Sequence, residues 1–208
     1  FAVKKNQIEE IKRWCQQATK QTGVKVLLGL ETNILGISGK TDMYVDYISS
    51  FDLYLAGIHK FIKYDALKEW FKLLGENTAV KTLGLKPSKE LIKRNTQVYI
   101  NAIKSNPIDI LTHPLYGVYA DAQEVAKCCY DYGTYFEISA RKVHLTDEEW
   151  LKVASTGVEF VVSSDAHIST SVGNVDLAKS LIEKHGVEKF FFATDFPMWD
   201  AKGEIERF

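Results

Sequence analysis

The stretch VEFVVSSDAH, Val158 to His167, sets the reading of this chain. Its first half is a run of strand-forming residues, and its second half brings an Asp and a His two positions apart with only Ser and Ala around them. Alternate residues of an extended segment share a side, so Asp165 and His167 are expected to point the same way, with the small Ala166 between them. An apolar strand that ends in two such side chains suggests a site at its C-terminal end.

The same design recurs along the chain. KVLLGLET (Lys25 to Thr32), FDLYLAGIH (Phe51 to His59), DILTHP (Asp109 to Pro114), YFEIS (Tyr135 to Ser139) and FFFATDF (Phe190 to Phe196) read as further strands. Runs apolar on both faces, such as KVLLGLET, suit parallel strands covered by helices. Helical patterns fill the gaps: Asn6 to Gln21, Ala66 to Leu74, Ser88 to Ser105, Ala122 to Tyr132, Asp147 to Ala154 and Val175 to His185. Thr146 with Glu149, and Asp121 with Glu124, each pair a capping residue with a Glu three positions on. Gly23 and Gly133 suit the residue just past a helix end. The connection from Leu74 to Pro87 holds Gly75 and Gly84 and is expected to be an excursion over the strand-end face. Six alternating units predict an α/β fold with a parallel sheet, arranged as a barrel and not as two separate domains.

In such a fold the strand C-termini converge on one rim. Read in order, those ends supply Glu31, His59, His113, Glu137, Asp165 with His167, and Asp195. Taken singly, each has a plain structural reading. A His after a strand is commonly a hydrogen-bonded, half-buried residue, and Asp165 could cap a helix. Together they are harder to explain without a site, because burying so many ionisable groups is costly unless they are paired or bind metal. Glu137 fits either direct coordination or orientation of a His ligand. His144, in a polar loop beside Arg141 and Lys142, and His185, at a helix C-terminus, need no site. Imidazoles and carboxylates without thiolate suit zinc, manganese or iron. Such ions activate water for hydrolysis of phosphate esters or amides.

Composition narrows the alternatives. The 208 residues, 46% hydrophobic and 25% charged, suit one globular domain. A net charge of −1 with dispersed Lys and Arg gives no pull toward nucleic acid or anionic lipid. No apolar run approaches the roughly 18 residues of a membrane span. Three cysteines, Cys15 alone and Cys128 beside Cys129, lack zinc or redox spacing and read as buried reduced thiols of a cytoplasmic protein.

GLETNILGISGKTD, LYLAGIH, DILTHP and VVSSDAH, in this order, resemble the PHP (polymerase and histidinol phosphatase) superfamily of metal-dependent phosphoesterases. The resemblance runs from about Val3 to Val187. It implies a distorted TIM-like (β/α)7 barrel and up to three metal ions, zinc, manganese or iron, in a complete domain. Glu31 would bridge the first two metals, His59 and His113 would complete the second site, Asp165 would bind the first metal and His167 the third. Lys60 and Arg141 would be available to the phosphoryl oxygens of a small-molecule phosphate ester of the histidinol phosphate kind. Two features depart from the family. Its opening HxH strand and TDH-like second strand are not found here, so residues 1–187 are expected to form a barrel lacking its first two strands, weakly active or inactive. The tail, residues 188–208 with FFFATDFPMWD, resembles instead the last barrel strand of the amidohydrolase superfamily, which would make Asp195 a metal- or proton-handling residue on an extra strand. An amidohydrolase-like activity on C–N bonds and a catalytically silent PHP module are the alternative functions.

Overall fold

The computed structural model describes residues 5–60, 62–185 and 190–192. All six expected strands are present: β1 (Gly29–Asn33), β2 (Leu53–Gly57), β3 (Ile110–Leu111), β4 (Tyr135–Ser139), β5 (Phe160–Ser163) and β6 (Phe190–Phe192). They are parallel throughout and lie side by side in sequence order. The helices are α1 (Lys5–Thr22), α2 (Leu67–Trp70), α3 (Glu76–Thr82), α4 (Lys89–Ser105), α5 (Ala122–Tyr132), α6 (Asp147–Ala154) and α7 (Asp176–His185). Among the described residues the sheet is open, with β1 paired only to β2 and β6 only to β5. The expected parallel α/β sheet is therefore present, and the expected barrel closure is not made by these strands.

An order without reversal has a consequence. Parallel units connect with a right-handed crossover, so successive helices stack on one face of the sheet. The packing agrees: Tyr54, Ala56, Leu111, Phe136, Ile138, Phe160 and Val162 share one large core with Val98 and Ile103 of α4, Val125 and Cys129 of α5, Trp150 and Val153 of α6, and Leu181 of α7. The intervening residues Leu53, Leu55, Ile110, Tyr135 and Val161 form a separate, smaller cluster on the other face. Glu31 is in register with Leu55, and Glu137 with Val161, so both carboxylates belong to that second face. The period-2 alternation thus gives the larger apolar core to the helix side and places Glu31 and Glu137 on the other face, beside the smaller apolar cluster.

The caps expected at Asp121 and Thr146 are present, and Ser88 adds one that the sequence reading did not single out. The Ser88 and Asp121 side chains accept from the backbone of Leu91 and Glu124, and Thr146 with Glu149 forms a complete capping box. Gly133 takes the left-handed conformation that ends α5, at φ 69°.

Two expectations are corrected. First, β1 starts at Gly29, lies at the sheet edge and is not covered on both faces: Gly29 and Glu31 are exposed, and Thr32 is its one buried residue. Leu28 instead pairs back to Asp52, its N–H donating to the carboxylate and its carbonyl accepting from the Asp52 N–H. Second, the supposed excursion after Leu74 is mostly helix. From α2 the chain passes through a π turn, Phe71–Gly75, directly into α3. Gly75 keeps helical angles there, an expense of about 1 kcal/mol against Ala that the surrounding packing overrides. Asn77 anchors the continuation from a buried position. Its amide donates to the Leu73 carbonyl, and its oxygen accepts from Asn95 and from the Tyr119 N–H.

Candidate metal centre

The site is built where β1, β2 and β3 end. Glu31 stands on β1, His59 two residues beyond β2, and His113 two residues beyond β3. His59 Nε2 lies 2.9 Å, and His113 Nε2 3.3 Å, from the same oxygen, Oε1 of Glu31. The donor atoms of the three residues lie within 4.8 Å of one another, an arrangement that could hold a metal ion. The set fits a divalent cation by its chemistry: two imidazole nitrogens and a carboxylate oxygen, with the Glu31 side chain 42% exposed and so reachable. Partial burial alone would raise the Glu31 carboxyl, but hydrogen bonds and charge from His113 and His59 outweigh it and hold the group well below the usual carboxylate range. Burial lowers His113, and Glu31 with the charge of Glu137 more than reverses this, so its pKa is raised.

The two imidazoles meet edge to face, ring centroids 5.0 Å apart at 89°. A glycine allows this. A Cβ on Gly57, the last residue of β2, would collide with Thr112 Oγ1 and sit 3.2 and 3.3 Å from the rings of His113 and His59. The sequence reading missed Gly57, since nothing in LYLAGIH signals that two rings from different strands close over it.

Glu137 lies beneath His113. Its carboxylate accepts from the His113 backbone N–H and, at 2.6 Å, from the Ser163 hydroxyl. These bonds tie β3, β4 and β5 together and hold a turn in which His113 has φ 28° and Leu115 φ 65°. Left-handed backbone at non-glycine residues is strained and persists where surrounding structure fixes it. Burial pushes Glu137 up to about 7.

Asp165 and His167 are placed differently from the expectation. Strand β5 stops at Ser163, and Asp165 has φ 44°, so the segment is not extended; the two side chains still share a side, His167 Nδ1 lying 3.5 Å from Asp165 Oδ1. Instead of joining Glu31, they hold Arg141. The guanidinium Nη1 is 3.6 Å from Asp165 Oδ2 and 3.0 Å from His167 Nε2. Because guanidinium can only donate, Nε2 of His167 accepts, which leaves Nδ1 to donate to the Asp165 carbonyl at 3.0 Å.

A cavity of about 550 Å³ joins these groups, lined among others by Glu31, His59, His113, Asp165, His167 and the cationic Lys60, Arg141 and Lys142. His144 also lines it, against the expectation of a plain polar loop. Its Nδ1 donates to the Pro114 carbonyl at 2.7 Å, and burial pushes its pKa down to about 4, so the ring is neutral. His185 packs parallel to the Trp150 ring, 5.8 Å away, remote from this set. Tyr116 was not singled out by the sequence. Lys142 donates to its hydroxyl, and that bond with the charges of Lys142, Lys60 and Lys81 lowers its pKa. Asp195 and the expected tail strand beyond Phe192 lie outside the described residues. No helix among the described residues is long and apolar enough to cross a membrane.

No family model matches the chain. Comparison with curated proteins finds relatives called "Probable phosphatase". One, from Shewanella sp. (strain ANA-3), is 32% identical over 170 residues, 77% of this chain and 58% of the relative. Another, from Thermoanaerobacter sp. (strain X514), is 30% identical over 179 residues, 81% of this chain and 63% of the relative. A third, from Caldanaerobacter subterraneus subsp. tengcongensis, is 30% identical over 173 residues, 79% and 59% respectively. The chain that carries the Glu31, His59 and His113 cluster is thus similar over most of its length to proteins called probable phosphatases, and it spans about three fifths of theirs.

Proposed function

We propose that this chain is a metal-dependent phosphoesterase of the PHP type, acting on a small phosphate monoester. One observation carries the reading: two imidazole nitrogens converge on one carboxylate oxygen in a cavity whose other side chains include Lys60, Arg141 and Lys142. A site for a divalent cation that also gathers positive side chains suits an anionic substrate, and the similarity to proteins called probable phosphatases points the same way. In this reading residues 1–187 form the PHP-type unit.

Glu31, His59 and His113 would hold zinc, manganese or iron, and Asp165 and His167 would serve further ions only where Arg141 releases them. Bound there, a divalent ion lowers the pKa of a water and offsets negative charge on a phosphoryl group. The protein's own residues do the rest. Glu137 and Ser163 fix the turn that aims His113. Arg141, poised by Asp165 and His167, faces the cavity and would bind the phosphoryl oxygens as charge builds on them, with Lys60 in the same cavity available to the anionic groups of the substrate. In the reaction a water oxygen bonds to phosphorus, the ester P–O bond breaks, and the departing alcohol oxygen takes up a proton, giving alcohol and inorganic phosphate.

The test is hydrolysis of p-nitrophenyl phosphate by the chelator-stripped protein before and after adding Mn²⁺ or Zn²⁺. Turnover that appears with metal and is lost in His113→Ala supports the reading. Turnover indifferent to both metal and His113 overturns it.

A further inference from the structure

The cations of the cavity exceed what one phosphoryl group needs, and they fall into two groups. Arg141 is bound to Asp165 and His167. The second group surrounds Tyr116. Lys142 Nζ donates to the Tyr116 hydroxyl and stands 4.5 Å from the centre of its ring. Lys60 lines the same cavity, its Cε 3.9 Å from the place a Cβ on Gly117 would occupy. Lys81 lines the adjoining groove beside Gly117.

Tyr116 is joined to the metal centre by direct ring contact. Its ring meets that of His113 edge to face, centroids 6.0 Å apart at 69°. The carboxylates lining the cavity, Glu31 and Asp165, are engaged elsewhere, with the imidazoles and with Arg141. Lys142 at the Tyr116 hydroxyl and Lys60 in the same cavity carry like charges that repel, and an anion placed between them relieves that repulsion.

We propose that Tyr116, Lys142 and Lys60, with Lys81 behind them, form a second anion subsite next to the Glu31, His59 and His113 centre. The substrate is then a compact phosphate ester with a second anionic group, phosphate or carboxylate, a few bonds from the phosphoryl group that is hydrolysed. The substrate class rests on the phosphoesterase reading; the subsite itself can be tested without turnover.

Calorimetric binding of three non-hydrolysable probes provides that test: ethylphosphonate with one anionic group, and ethane-1,2-diphosphonate and 3-phosphonopropionate with two. The native protein should bind at least one two-anion probe about tenfold more tightly than ethylphosphonate. Which of the two is preferred separates phosphate from carboxylate. Lys142→Ala and Tyr116→Phe should each reduce the preference severalfold, while Lys89→Ala, at the start of α4, should keep it. Equal affinity for all three probes, or a preference intact in both variants, overturns the subsite. A preference that holds in a protein unable to hydrolyse p-nitrophenyl phosphate supports the subsite and counts only against the phosphoesterase reading.

Discussion

The rim has two halves that look alike in sequence and differ in space. On the β1 to β3 side, Glu31, His59 and His113 come from three strand ends and meet at one oxygen atom. On the β5 side, Asp165 and His167 come from a single turn and close on Arg141. Both halves pair carboxylate with imidazole. The first half has no cation of its own among its donors, whereas the second already holds one. The difference shows that a residue's place at a strand end does not decide whether it converges on a shared point; the backbone just beyond the strand does. His113 is turned inward by a left-handed step pinned by Glu137, and Asp165 by another that leaves its carboxylate beside the guanidinium.

The largest effect expected from this contrast is on metal affinity. His113→Ala removes one of three converging donors and should weaken binding of Zn²⁺ by more than about a hundredfold, beyond the range seen when only a supporting group is lost. Asp165→Ala should weaken the same binding about tenfold or less. Competition against a chromophoric chelator measures both, and equal losses would erase the distinction between the halves.

A smaller effect should follow from Gly57→Ala. The added methyl collides with Thr112 Oγ1 and comes within 3.2 and 3.3 Å of Cε1 of His113 and of His59, so Thr112 must shift and both rings must give way slightly. Overpacking of this kind destabilises by about 1–3 kcal/mol. Chemical denaturation of the metal-free protein should show that loss, and metal affinity should fall with it. A stable variant with native affinity would mean that the two rings do not depend on close approach.

The smallest effect is a pH dependence set by His144, which touches neither cluster through its ring nitrogens. The folded protein keeps this imidazole neutral, with its pKa pushed down to about 4, against about 6.5 in an unfolded chain. Between those values the unfolded chain binds more protons. The contribution is therefore fully present above pH 6.5 and is lost as pH falls toward 4. The melting temperature of the native protein should drop more steeply across this window than that of His144→Asn. Parallel curves would show that the ring is not buried in its neutral form.

Sequence patterning conveys the elements well and the turns poorly. Helices α5 and α6 and strand β4 start and stop where the pattern places them, because caps, a C-terminal glycine and a short β-rich run just past that glycine are local signals. The triad was legible for a similar reason: His59 and His113 each follow a short apolar strand, and Glu31 comes just after the apolar run Val26 to Leu30. Three features were not. The turn after Ser163, not strand alternation, brings Asp165 and His167 together on Arg141, and no residue type there announces its left-handed step. Gly57 looks like an ordinary strand glycine until two rings from separate strands close over it. The pairing of Tyr116 with Lys142 joins positions 26 residues apart that share no motif. Each is set by tertiary approach, which periodicity does not encode.

The π turn between α2 and α3 acts as a phase setting. A helix advances about 100° per residue, so the one additional residue that a π turn accommodates fixes the angle between the faces on either side. Before the turn, buried Glu69 receives the Ile37 N–H at 3.0 Å, clamping the loop that leaves β1 just after Glu31. After it, Asn77 is locked to Asn95 and Tyr119. The two clamps can be satisfied together only at this phase. A single-residue deletion within Phe71–Gly75 would give a more regular helix but swing Glu69 away from the loop. The count of residues in a remote helix is thereby linked to the seating of Glu31 in the candidate metal centre.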